Sequence, residues 1–97
     1  MGMPLAEQVR VTVAALMHAT GESQAQVAGV LGVTQGQVSR RQSGAAAWSL
    51  GDCEALARHW RIGVLDFLAG PTRACEALAE ERNGPAVVAG ERPGGAR

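Results

Sequence analysis

A chain of 97 residues, 46% hydrophobic and only 3% aromatic, can build one small packed domain with a tail but not a two-domain enzyme. Its nine basic and nine acidic residues cancel to a formal charge of zero, which taken alone points away from a nucleic-acid binder. No apolar run approaches the roughly 20 residues of a bilayer span, and Met1 to Ala6 lacks the basic flank of a leader, so a cytoplasmic location without membrane association is expected.

Periodicity is helical along most of the chain, with no strand pattern. Leu5, Val9, Val13, Leu16 and Met17 form one stripe and predict a first helix from about Pro4 to Ala19. Pro4 suits the first turn, and Thr20-Gly21 supplies the stop. Ser23 with Gln26 reads as a capping box opening helix two, whose apolar face is Val27, Ala28 and Leu31 and whose stop is Gly32. Thr34 with Gln37 repeats the box for helix three, which has Val38 inward and runs to about Gln42 before Ser43-Gly44.

Ser49 with Asp52 caps a fourth helix with Cys53, Leu56, Ala57 and Trp60 on its inner face. A short fifth helix, Val64 to Ala69, is expected to bury Leu65 and Leu68, and Gly70-Pro71 closes the compact part. Thr72 to Arg82 carries a thin stripe of Cys75, Leu78 and Ala79 and needs the domain or a second subunit to lean on. Residues 83–97, with recurrent Gly and Pro, read as a flexible tail. The division expected is therefore 1–71 for the domain and 72–97 for the helical segment and tail.

Cys53 and Cys75 do not make a disulfide framework, and with His18 and His59 as the only histidines no metal-ligand spacing exists. Cys53 falls on an inward face, as expected of a buried free thiol. No nucleophile–base pair or phosphate loop is present either, so neither enzymatic activity nor a cofactor or metal is expected.

Gln24, Ala28, Gly32 and Val38 stand in the relation that a helix-turn-helix requires. Ala28 is small where two helices meet, Gly32 supplies a positive φ in the turn, and Val38 anchors the following helix to the core. The stretch Ser23 to Arg40 resembles the core of the Cro/cI repressor-like family, also called the xenobiotic-response-element family. The likeness extends through Leu56-Ala57-Arg58-His59-Trp60 and Val64-Leu65-Asp66-Phe67-Leu68, covering roughly residues 5–71.

That resemblance implies an all-α, five-helix lambda-repressor-like bundle that binds operator DNA as a homodimer with helix three in the major groove. A transcriptional regulator, a repressor binding an inverted repeat, is the expected function. Gln24 would hold a phosphate, and Thr34 would cap helix three and offer a further phosphate contact. Gln35, Gly36 and Gln37 would sit at the groove-facing end, where glutamine can pair with adenine. Arg40, one turn beyond Gln37, would reach guanine, while Ser39, Arg41 and Ser43 would contact the backbone. Helix five and the Thr72–Arg82 segment are the expected dimer surface.

Many relatives carry an apolar residue at the position of Arg41, and a glutamate at that of Gln42 paired with an arginine at that of Met17. Both members of that ion pair are absent here, so no charge is orphaned. Arg41 then either reaches a backbone phosphate or signals a different packing of helix three. Glu22 stands where an apolar residue is common. The alternative function is a protein-interaction or antitoxin-type module on the same fold, with 72–97 binding a partner protein. Positions 23–51 hold Arg40 and Arg41 and no acid, whereas four of the nine acids lie between Glu76 and Glu91. Neutrality is thus the sum of a mildly basic segment and an acidic remainder.

Overall fold

Three capping boxes, each closed by a hydroxyl and a side chain three residues on, place the starts of three central helices. A computed structural model describes residues 2–89, with side chains as far as Asn83, and all regular structure among them is α-helical. Helix α1 spans Leu5–Thr20, α2 Gln24–Leu31, α3 Gln35–Ser43, α4 Leu50–Trp60, α5 Val64–Leu68 and α6 Pro71–Ala89. The boxes at Ser23–Gln26, Thr34–Gln37 and Ser49–Asp52 are all formed in both directions, with N···O distances of 2.7–3.1 Å. Each satisfies two helix-end N–H groups that would otherwise lack a partner.

Helix α1 runs through the centre. Val9, Val13, Leu16 and Met17 are buried as expected, but Leu5 is 56% exposed because it lies at the first residue, beyond the edge of the core. Thr12 completes the buried face instead, its hydroxyl donating to the Gln8 carbonyl at 2.8 Å. That bond is what lets a polar side chain sit fully buried. Val27 and Ala28 of α2, Val38 of α3, and Cys53, Leu56, Ala57 and Trp60 of α4 join one core with Trp48, Ile62 and Phe67. Burial and the neighbouring carboxylates of Asp52 and Glu54 push the Cys53 thiol up, keeping it protonated at neutral pH.

The C-terminal part departs from expectation in two ways. In α5 the buried residue is Phe67, at 0% exposure, whereas Leu65 is 79% exposed and Leu68 only half-buried. The larger ring fills the centre, and Leu65, two residues away, is carried to the outside. Helix α6 buries Ala74, Ala77 and Leu78 rather than Cys75, Leu78 and Ala79, since Ala79 is exposed and Cys75 partly so. It leans on α1 and α5 of its own chain. With that docked face as a nucleus, the helix continues to Ala89, past the end expected at Arg82, because extending a helix is easier than starting one. The tail expected over 83–97 is thus helical as far as Ala89, and its remainder lies outside the described residues.

Candidate nucleic-acid interface

Between α2 and α3 the chain turns in three residues, Gly32 to Thr34. Gly32 adopts φ +70°, and the Val33 N–H donates back to the Ala28 carbonyl at 3.0 Å. A side chain at Gly32 would meet nothing in space, so the requirement there is backbone conformation alone. Ala28 and Val38 are both buried, which seats α3 by one fully buried valine, with Arg41 and Gln42 half-buried beside it and the remaining residues of the helix exposed.

With 3.6 residues per turn, Val38 fixes the inward side of α3, and Gly36, Arg40 and Ser43 fall on the opposite side with Ser39 and Gln37 at its margins. All five are exposed, as are Thr34 and Gln35, while Gln24 at the start of α2 is half-buried. Arg40 makes no ion pair among the described residues, and its nearest acids in sequence are Glu22 and Asp52. Neither α2 nor α3 has an acid in its first turn, whereas α1, α4 and α5 do, through Glu7, Asp52 and Asp66. The positive ends of the two helix dipoles are therefore left uncompensated by the chain itself.

Several of the expected roles are constrained by this geometry. Gln37 Oε1 accepts from the Thr34 N–H at 2.9 Å, so bidentate pairing with adenine N6 and N7 would have to use its second lone pair or open the capping box, while its Nε2 donor remains available. Ser43 Oγ donates to the Arg40 carbonyl at 3.0 Å, a closing contact at the end of α3 that occupies its proton. Arg41 does not lie with the others. Three residues after Val38, it shares the inward flank of α3, its side chain 20% exposed and its Nε 3.5 Å from Asp52 Oδ2. Its guanidinium carbon stands 5.8 Å over the Trp48 ring. Arg41 thus packs on the inward flank of α3 against Asp52 and Trp48.

The supports of α3 were not evident from the sequence. Arg10 Nη1 donates to the Gln42 carbonyl at 3.2 Å while Glu7 holds the rest of its guanidinium. The same contact holds the Glu7 carboxyl below the usual carboxylate range. The only local sign of it was the three-residue spacing of Glu7 and Arg10. Gln42 Nε2 in turn donates to Met17 Sδ at 3.3 Å, a neutral contact between the very positions where an ion pair is missing. Glu22 accepts from Trp60 Nε1 at 3.2 Å and lies 3.0 Å from His59 Nε2, tying the entry of α2 to α4.

No family model, curated protein or solved structure matches this chain. The candidate interface therefore rests on its own geometry: one exposed polar helix face, an arginine without an ion pair among the described residues, and two successive helices whose first turns carry no acid.

Proposed function

We propose that the protein is a sequence-specific regulator that binds double-stranded DNA through the outward face of α3, with the Cro/cI repressor-like arrangement of its helices. The observation that carries this reading is Arg40, exposed beside Gly36 and Ser39 and without a carboxylate partner among the described residues. A guanidinium there can donate two hydrogen bonds to guanine O6 and N7. Gly36 lets the backbone at the start of α3 come close to a groove wall, and Gln24, Gln35 and Thr34 flank it with donors for phosphate. In this reading Gln37 contributes Nε2, and Arg41 stands behind α3 rather than on its groove-facing side.

The regulator would act as a homodimer on an inverted repeat with half-sites about 34 Å apart, and repression follows from occupying such an operator. Because the apolar stripe of α6 is covered by α1 and α5, the subunit contact is assigned to α5, where Leu65 stands exposed. In the alternative, a protein-interaction or antitoxin-type module, a partner would be held by parts of 72–97 other than that stripe.

Selection of random duplex DNA with wild type, Gln37→Ala and Arg40→Ala tests the reading. It predicts one enriched palindrome for wild type and relaxed preference at one position of each half-site for Arg40→Ala. Absence of an enriched motif, or a motif indifferent to Arg40→Ala, would overturn it.

A further inference from the structure

Behind the proposed DNA-facing surface, α1 and the loop between α3 and α4 enclose a cleft of about 120 Å³. Its walls are Glu7, Arg10, Arg41 and Trp48, with alanines and Gly44 between them, and these small residues keep it open. The two arginines differ in how far their donors are used. Arg10 is committed, with Glu7 taking Nε and Nη2 and the Gln42 carbonyl taking Nη1. Arg41 is not: its Nε lies 3.5 Å from Asp52 Oδ2, longer than a good charge-assisted hydrogen bond, and its Nη1 is buried without an acceptor among the described residues. Trp48, only 9% exposed, has its Nε1 buried and unpartnered as well.

Guanidinium and indole N–H groups can donate but not accept. Two such donors on side chains that both line the cleft, neither with an acceptor among the described residues, narrow the guest. An apolar guest would leave them unmet, a cation would be repelled by Arg41, and a neutral acceptor such as water would leave the guanidinium with no counter-charge closer than Asp52. A small anion with several oxygen acceptors satisfies both and offsets a charge. Glu7 does not oppose it, because its carboxylate is neutralised by Arg10. Asp52 is already engaged by the Ser49 N–H at 3.0 Å as well as facing Arg41.

We propose that this cleft binds a phosphate-type oxyanion through Arg41 Nη1 and Trp48 Nε1. The loosely held Arg41 guanidinium turns from over the indole to meet it. The oxyanion has two sources, free phosphate in solution or a backbone phosphate of bound DNA, and only the second depends on the function proposed above.

The test follows the indole N–H resonances of the full chain while inorganic phosphate replaces chloride at constant ionic strength. The Trp48 signal is expected to shift saturably, with the Trp60 signal, anchored on Glu22, unmoved and reporting an intact fold. Arg41→Gln should weaken the titration at least about tenfold, the loss expected for a charge-assisted hydrogen bond. Trp48→Phe, which keeps the ring but removes the donor, should abolish most of the phosphate-dependent rise in Tm. A Trp48 signal unmoved into the tens of millimolar, or an Arg41→Gln variant that titrates like wild type, overturns the proposal. Adding the selected duplex separates the sources. A DNA-induced Trp48 shift that phosphate competes away assigns the site to the DNA backbone. Phosphate binding that DNA neither mimics nor displaces assigns it to the free anion.

Discussion

Arg40 and Arg73 are the same side chain put to opposite uses in two parts of the molecule. At the α5–α6 junction Arg73 is surrounded by its own chain, with Asp66, Glu76 and Glu80 at 2.9–3.1 Å. Those three carboxylates push its pKa up, and each guanidinium nitrogen donates to at least one of them. On α3, Arg40 has no carboxylate among the described residues, and the acid-free stretch around it is closed by capping boxes that use glutamine rather than glutamate. At one end the arginine's charge is met within the fold. At the other it is left without a carboxylate among the described residues, and a net charge of zero conceals the difference.

If this contrast is right, changes at the α5–α6 end should alter stability without altering sequence preference, and changes on α3 should do the reverse. The largest effect is expected for Phe67→Ala, which empties the centre of the core and should cost about 3–5 kcal/mol in denaturant unfolding. The folded fraction should retain the wild-type DNA preference. Arg40→Ala comes next: about 1–3 kcal/mol of base discrimination lost, a drop of roughly 5- to 150-fold, with Tm unchanged. Arg73→Ala should leave DNA affinity where it was. A loss of specificity on removing Arg73 would break the comparison outright.

The smallest and sharpest pair is Gly29→Ala against Gly36→Ala. A Cβ at Gly29 meets nothing within 4 Å, and one at Gly36 meets only Thr34 Oγ1 at 3.8 Å. Both replacements should therefore stabilise by about 0.5–1 kcal/mol through helix propensity. Only Gly36→Ala should weaken DNA binding, because Gly36 lies on the outward side of α3 proposed to enter the groove, whereas Gly29 belongs to α2. Equal binding by both variants would remove Gly36 from the interface.

Much of this architecture was legible because its signals are local. Ser23, Thr34 and Ser49 with their partners three residues on, and the glycines at 21, 32 and 44, fix helix ends within a few residues of themselves. The exposed row of Gln35, Gly36, Gln37, Ser39 and Arg40 follows from one inward anchor, Val38. What was misread lacked either length or locality. Helix α5 has five residues, too few for a period to choose Phe67 over Leu65. The stripe of α6 depended on how that helix would lie across α1. The inward place of Arg41 could have been taken from its spacing to Val38, but its partners, Asp52 and Trp48, belong to the next helix and its entry loop. The contact of Arg10 with the Gln42 carbonyl spans 32 positions and leaves no trace in either segment.

The most direct measurement is the ratio of affinities for the selected duplex and for a scrambled duplex at one fixed salt concentration, taken for wild type and Arg40→Ala. A wild-type ratio of about 10³ or more, falling at least tenfold in Arg40→Ala at unchanged Tm, is the predicted result. A wild-type ratio near unity, or one that Arg40→Ala leaves intact, would contradict the claim that α3 reads DNA.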